Sequence, residues 1–418
     1  MFRRFYESLL ALLCLLVFMP LVWSVRLRRR PASKVVTVYG RLGRPVTFRI
    51  ERLFTGASPL RLLNYWHFLG MILLGRFAWS GPRPVKINRP RPAYTRYSVR
   101  PGLVSPFMLQ SRMNIAFNDV DTTEERFIRA ASARSHLGLL LRYLLSLVVG
   151  GGNRKVRDRV ELLDVTLHNQ SMHATLTRIW QFARGAQCRQ VAFVNPDCLN
   201  IAGRDPDYKA LLQSLPMVLA DGIGIHLALK LFTDDGLCDN VNGTDLFPHL
   251  CKMAAREKLS LYLLGGQPGV ATAVAEEAQK RVCDLEIAGT QHGYFDADDE
   301  QAIVRDINRS GADILLVAMG VPMQEKWIAA NAAKLDVRVA MGVGGLFDFY
   351  SGRIARAPMW MREMGLEWAY RLLQEPGRMW RRYVVGNPVF LWRAWRWSRA
   401  RELSDKRQTA HCQKFSGH

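Results

Sequence analysis

From about residue 160 onward, short β-branched or aliphatic runs alternate with helical stretches, and this alternation constrains the fold more than any other feature of the chain. The runs fall at residues 191–194, 218–220, 261–264, 285–288, 314–318 and 337–341, with helical patterns between them, for instance at 270–282 and 301–308. Alternation at this spacing predicts an α/β fold, a Rossmann-like parallel sheet with helices on both faces. In such sheets ligands bind beyond the carboxyl ends of the strands. The residues that follow each run are therefore where chemistry is expected.

Those residues are unusual. They read Asn195-Pro196-Asp197, Asp221-Gly222-Ile223-Gly224, Gly265-Gly266-Gln267-Pro268-Gly269, Gly320 to Trp327, and Gly342-Val343-Gly344-Gly345. Asp221 could take the proton of an attacking hydroxyl, as a carboxylate within hydrogen-bond reach does in general base catalysis; Asp-Gly is equally a common way to turn out of a strand. Gln324 stands at a helix start whose Pro322 suits the first turn, a place that favours an anion; an ordinary helix start, with Glu325 complementing the dipole, reads the same way. Gly265, Gly266 and Gly269 could let backbone N–H groups approach a nucleotide, yet they match neither the dinucleotide fingerprint nor a P-loop. Tight-turn glycines without a ligand fit as well. Asp296-Ala297-Asp298-Asp299 spells a DxD metal motif, but its place before a helix predicts N-capping instead. The seven cysteines show no CxxC or Cys/His ligand spacing, so neither a zinc site nor a disulfide framework is expected.

The net charge is +22, from 58 Lys and Arg against 36 Asp and Glu, which suits a polyanionic partner. The position of the cations selects the partner. Residues 9–25 form an apolar run interrupted by Pro20 and Ser24, with Arg3 and Arg4 before it and Arg26, Arg28, Arg29 and Arg30 after it. A straight helix of that length reaches about 26 Å, short for a hydrocarbon core of about 30 Å. Cations on both flanks place both ends in the cytoplasm, which a kinked, re-entrant helix satisfies and a spanning one does not. A signal peptide is the rival reading, and the arginines after the run with no small-residue cleavage site oppose it. At the other end Arg378, Arg381, Arg382, Arg393, Arg396, Arg399 and Arg401 interleave with Trp380, Trp392, Trp395 and Trp397. Tryptophan favours a membrane interface, so this tail is expected on a lipid surface and no nucleic acid is expected as partner.

Seven strings occur in order: ADGIGI (220–225), NGTDL (242–246), LLGGQPGVA (263–271), GTQHGYF (289–295), GVPMQEKW (320–327), GVGGLFDFYSGRIARAPMWM (342–361) and GLEWAYRLLQEP (365–376). On these strings residues 160–390 resemble the WecG/TagA/CpsF family, glycosyltransferase family 26. The resemblance implies an inverting transfer from a UDP-sugar to a polyprenyl-diphosphate-linked glycan in exopolysaccharide or cell-envelope polysaccharide synthesis, without metal or other cofactor. It implies that Asp221 is the catalytic base and that Gln324 is a catalytic residue in contact with substrate. Asn195, Gly222, Thr244, Asp245, Gly265, Gly266 and Gly269 would contact substrate, and Arg356, Arg371 and Arg378 would contact the diphosphates. For Arg371 an i,i+4 pair with Glu367 competes with that role. Two positions depart from the family pattern: Phe193 replaces a threonine, and Asn240 lies near the place of an arginine.

Residues 1–150 are similar to bacterial sugar transferases, the monotopic phosphoglycosyl transferases, through the Pro-broken apolar run and the strings GRLGRPVTFRIERLF (40–54), SGPRPV (80–85) and VRPGL (99–103). Counting back from Gly81 to that family's Asp-Glu pair gives Asn64 and Tyr65, which cannot replace a carboxylate nucleophile and its metal-binding neighbour. The expected organisation is a catalytically inactive membrane-associated domain at 1–152, a glycosyltransferase domain at 153–390 and a basic tail at 391–418. A bifunctional enzyme that also carries phosphoglycosyl transferase activity is the alternative. Expected partners are the UDP-sugar donor, the polyprenyl-linked acceptor and membrane lipids, with further copies of the chain and other polysaccharide-assembly enzymes at the level of assembly. The expected location is the cytoplasmic face of the bacterial inner membrane.

Overall fold

The computed structural model describes residues 2–28, 31–51, 53, 64, 66–87, 98–115, 119–150, 156–296 and 298–415. The chain divides into two compact units, Met1–Asn153 and Arg154–His418.

The first unit opens with helix α1 (Phe2–Arg28), which has Pro20 inside it. An antiparallel hairpin follows, β1 (Ser33–Tyr39) with β2 (Pro45–Glu51), then α2 (Trp66–Leu73). Strands β3 (Ala78–Ser80) and β4 (Gly102–Val104) pair in parallel, and α3 (Pro106–Arg112), α4 (Val120–Arg129) and α5 (Ala133–Val149) complete the unit. One stripe of α1 faces the unit. Ala11 is buried in a cluster with Val38, Val46, Phe48, Phe68, Ile72 and Phe77, and Val22 packs against Leu53. Two ion pairs fasten the ends of the helix, Glu7 to Arg100 at 2.8 Å and Arg26 to Glu51 at 3.0 Å. The outward stripe, with Leu9, Leu13, Leu16, Val17 and Trp23, is exposed.

The second unit is built on an eight-stranded sheet. Its strands are β5 (Arg159–Leu162), β6 (Val165–His168), β7 (Arg189–Val194), β8 (Met217–Ala220), β9 (Leu261–Gly265), β10 (Ile287–Gln291), β11 (Ile314–Ala318) and β12 (Val339–Gly342). They lie in the order β10-β9-β11-β12-β7-β8-β6-β5, and every pair except β5–β6 is parallel. Every residue of β8, β9, β11 and β12 is buried, as a parallel strand covered on both faces must be. The covering helices are α6 (Met172–Ala183), α7 (Pro196–Ala202), α8 (Pro206–Ser214), α9 (Ile223–Phe232), α10 (Gly243–Glu257), α11 (Val270–Arg281), α12 (Glu300–Ser310) and α13 (Met323–Asn331). After β8 on one side of β7, the chain crosses to β9 on the other, so the strand order reverses at β7 and β12. The crevice at such a reversal is where open α/β sheets bind ligands.

Beyond the sheet come α14 (Leu346–Tyr350), α15 (Met359–Arg362), α16 (Glu367–Gln374), α17 (Pro376–Trp380), a π-helical turn (Arg381–Val385) and α18 (Gly386–Phe415). The sequence pattern predicts one helix over 357–374, but Gly365, at φ +70°, splits it into α15 and α16. A left-handed backbone ends a helix, and glycine adopts it without strain. The expected boundary at residue 390 also differs from what is found: α18 runs through it and buries Phe390 and Ala394 in the core of this unit. Strand β10 starts two residues later than its apolar run suggests. The β5–β6 hairpin has no counterpart among the runs read from sequence. It turns through Leu163 and Asp164, at φ +53° and +62°, without the Asn-Gly or Asp-Gly pair that marks such turns.

Candidate active site

Asp221 leaves the carboxyl end of β8, and its N–H donates to Val194 O at 2.8 Å, locking the ends of β7 and β8 together. Gly222 then turns at φ +89° into α9, and its N–H donates to Asn240 Oδ1 at 2.9 Å. Backbone and Asn240 thus make the turn, and the Asp221 side chain takes no part in it. The side chain of Asn195 lies close enough to bear on the carboxylate's charge. That amide is aimed by its other end: Asn195 Oδ1 caps α7, accepting from Asp197 N at 3.0 Å and Cys198 N at 3.2 Å. Burial raises the Asp221 carboxyl to about 6; Arg382 opposes the rise, Glu367 adds to it, the Asn195 side chain lowers it and Asp245 raises it. A carboxyl poised there is ionised at neutral pH yet basic enough to take a proton.

Gln324 stands differently from the expectation. It is 1% exposed, its Oε1 accepts from Gly344 N at 3.0 Å, and its Nε2 donates to Glu325 Oε1 at 2.6 Å. Both ends of the amide are engaged within the protein, so in this state it shapes the glycine turn after β12 from beneath. Glu325 is fully buried, and burial lifts its carboxyl to about 7 while the Gln324 hydrogen bond pulls it down.

Gly265 ends β9 at φ +139°, where a Cβ would lie 2.4 Å from Ala318 O. The Gly266 N–H is engaged by Ala318 O at 3.0 Å. Gly269 stands at the N-cap of α11 with open space around it. Of the three glycines, Gly269 has room for a ligand. Asp299 is the N-cap of α12, but its side chain makes no cap hydrogen bond, so capping does not account for the DxD spelling.

Asp245 lies in the first turn of α10, almost fully buried, and its Oδ1 accepts from Arg356 at 2.6 Å and Arg362 at 2.8 Å. Its Oδ2 accepts from Asn242, and Thr244 contributes its carbonyl to Tyr350 Oη at 3.1 Å. Arg356 also meets Glu367 at 3.1 Å. Arg371 reaches Asp348 and Glu375, each at 3.4 Å, and lies over the ring of Phe349 at 5.2 Å. The i,i+4 pair expected between Glu367 and Arg371 is replaced by these, because Glu367 faces Arg356. Arg378 is exposed and pairs with Glu375 at 3.2 Å and Asp348 at 3.6 Å. The structure thus gathers Asn195, Asp221, Asp245 and Glu367 in one electrostatic neighbourhood with Arg356, Arg362 and Arg382, while Arg371 and Arg378 meet at Asp348 and Glu375. Sequence reasoning missed Arg362, Arg382 and Glu325 as site residues. Their motif neighbours were visible, but nothing in a run of arginines singles out the two that turn inward.

A separate groove of about 880 Å³ lies among β5, the end of α9 and α18, lined by Arg157, Arg159, Leu231, Trp395 and Trp397 among others. Its Arg157 pairs with Asp235, and its Arg401 with Glu161.

The sequence profile of the glycosyl transferase WecG/TagA/CpsF family matches residues 160–404. A protein of Bacillus subtilis (strain 168), N-acetylglucosaminyldiphosphoundecaprenol N-acetyl-beta-D-mannosaminyltransferase, is 35% identical over 194 residues, which is 46% of this chain and 74% of that protein. The matched residues carry the whole strand-end crevice, from Asn195 to the appended arginines. This chain belongs to the WecG/TagA/CpsF family and is a glycosyltransferase.

Proposed function

We propose that the protein transfers a sugar, with inversion, from a UDP-sugar to a polyprenyl-diphosphate-linked glycan in exopolysaccharide or cell-envelope polysaccharide synthesis. The observation that carries this reading is Asp221, a half-buried carboxyl raised to about 6 at the strand-end crevice and facing an arginine-bearing appendage. The acceptor hydroxyl gives its proton to Asp221 as its oxygen attacks the anomeric carbon. The bond from that carbon to the diphosphate breaks on the opposite face, and UDP leaves with the electron pair. Arginine forks pair well with phosphate oxygens, so Arg356, Arg371 and Arg378 suit the neutralisation of the leaving charge. The name of the Bacillus relative points to N-acetylmannosamine as the sugar and a polyprenyl-diphosphate N-acetylglucosamine as the acceptor, so with the proposed UDP carrier UDP-N-acetylmannosamine is the first donor to assay. Product detected by mass spectrometry with the wild type and lost with Asp221→Asn supports the assignment; full turnover by Asp221→Asn refutes it.

For the first unit we infer a membrane-docking role at the cytoplasmic face of the inner membrane. Residues Arg4–Arg28 form a helix long and apolar enough to cross a membrane. Both of its ends are ion-paired to one folded body, which favours a re-entrant or surface-lying helix over a spanning one. In the second unit, the exposed Trp392, Trp395, Val389 and Leu403 of α18 suit a membrane interface of their own. Asn64 places an amide where a sugar transferase would need a carboxylate, and its Oδ1 accepts from Leu53 N at 2.9 Å; Tyr65 lies outside the described residues. Cysteines introduced at the exposed Phe5 and Leu27, near the two ends of the helix, should both label from the cytoplasmic side only; one label from the far side would overturn the topology. Phosphoglycosyl transfer by the full chain carrying Asp221→Asn would establish the bifunctional alternative.

A further inference from the structure

The turn at Arg381–Val385 is π-helical, set between α17 and α18. A π turn is rare and rotates the side chains after it relative to an α-helix, which is why it recurs at functional sites. Here it is fastened to α7, the helix that Asn195 caps. Asn200 Nδ2 donates to Gly386 O at 2.8 Å, and Arg393 donates to Leu199 O at 2.8 Å and Asn200 Oδ1 at 3.1 Å. Four residues before the first of these fastenings, Arg382 brings its Nε to 3.4 Å from Asp197 Oδ2 on the first turn of α7. That Nε is buried and makes no hydrogen bond among the described residues. Asp197 is two residues from Asn195, and the adjoining Val194 O accepts from Asp221 N at 2.8 Å.

We propose that Arg382 is a positioning residue for the transfer: the π turn sets its guanidinium against Asp197 at the start of α7, next to the joined ends of β7 and β8 from which Asp221 emerges, where its charge orients that carboxylate for the acceptor hydroxyl. The proposal rests on the reading of Asp221 as the base. The groups whose charge bears on Asp221 are Arg382, Glu367 and Asp245, with the Tyr383 phenol and the Cys198 thiol also close enough to couple to it. Glu367 and Asp245 are themselves held by Arg356. Arg382 supplies attraction where those two carboxylates repel. It keeps its own proton throughout; the proton that moves passes from the acceptor oxygen to Asp221, and the electron pair of the broken bond leaves with UDP.

The test compares the full chain as wild type, Arg382→Gln, Arg382→Lys and Asp221→Asn, using UDP-N-acetylmannosamine and a polyprenyl-diphosphate N-acetylglucosamine from about pH 5 to pH 9. Removing a neighbouring cation should move the acid limb of kcat/KM upward by about one pH unit in Arg382→Gln. Activity then falls about tenfold below the limb and recovers at alkaline pH, while Arg382→Lys keeps the wild-type limb. Equal loss at every pH, or a rise in donor KM with the limb unmoved, would overturn the proposal and make Arg382 a structural or diphosphate-binding residue. Carbon-13 NMR of the carboxyl-labelled, unliganded protein, with the Asp221 resonance assigned by its absence in Asp221→Asn, reads the same shift without turnover. A wild type inactive on every donor would sink the transferase reading of this site, and the resonance would still decide whether Arg382 sets the Asp221 charge.

Discussion

Arg356 and Arg362 share a single oxygen, Asp245 Oδ1, at 2.6 Å and 2.8 Å, across 111 and 117 residues of chain. One carboxylate therefore fastens the start of α10 to the segment that carries α15. Asp245→Asn would leave two half-buried guanidinium groups around a neutral amide. Breaking one partner of a buried pair is strongly destabilising because the remaining charge is uncompensated. With part of the cluster facing solvent, we expect a loss of about 1–3 kcal/mol, measured by urea unfolding. UDP binding, followed by titration calorimetry, should hold or tighten, since the arginines are released to meet phosphate. A variant as stable as wild type would show that Asp245 does not clamp the appendage.

Asp221→Asn tests chemistry and stability together. Loss of a general base lowers turnover about 10²- to 10⁴-fold. Its stability effect has the opposite sign. The folded state raises this carboxyl from 3.8 to about 6, so it holds the proton better than the unfolded chain does. The stability contributed by the group is complete below pH 3.8 and is lost as pH rises through 6. The asparagine variant should therefore unfold at a higher temperature than wild type at pH 7.5, with the difference shrinking toward pH 5. Calorimetric scans at the two pH values measure this. A variant less stable at pH 7.5 would mean that the carboxylate is held by attraction and is not poised by burial.

The sequence carries the central strands legibly because burial on both faces demands unbroken apolar runs, as at Ile314–Ala318. The places where it falls short have local causes. The Leu163-Asp164 turn has φ values that sequence assigns to glycine or asparagine. The helix break at Gly365 lies inside an otherwise continuous amphipathic pattern. At the site, Asp221 and Asn195 stand out because a strand end leaves few neighbours to choose from. Gln324 was legible as a helix start but not as a buried brace, since its direction depends on Gly344, 20 residues away. Arg382 was hidden for a related reason: which arginine of a basic run turns inward is fixed by the π turn, and no periodicity announces one.

Glu325 offers a prediction about the brace. Its carboxyl is raised from 4.5 to about 7 by burial, so the stability it contributes is complete below pH 4.5 and is lost as pH rises through 7. Glu325→Gln keeps an oxygen for Gln324 Nε2 and removes the buried charge. It should equal or exceed wild-type stability at pH 8 and retain transfer. Glu325→Ala leaves the Gln324 amide unsatisfied and opens space beside Gly342. We expect it to lose about 1–3 kcal/mol and to lower kcat through a displaced Gly342–Gly345 turn. Equal activity of the alanine and glutamine variants would show that the turn does not need this support.

Gly265 and Gly269 separate two reasons for a glycine within one loop. Both have positive φ, +139° and +82°, but a Cβ at Gly265 would meet Ala318 O at 2.4 Å whereas one at Gly269 meets nothing within 4 Å. Gly269→Ala should therefore suffer only left-handed strain, about 1–2 kcal/mol. Gly265→Ala adds a collision with the backbone of β11, which cannot swing aside as a side chain would, so β9 and β11 must part where they pair. A total above about 3 kcal/mol follows. Urea midpoints of the two variants, compared at equal slope, measure the difference. If the two lose equally, the close approach of β9 and β11 at their carboxyl ends is not what holds the floor of the crevice in place.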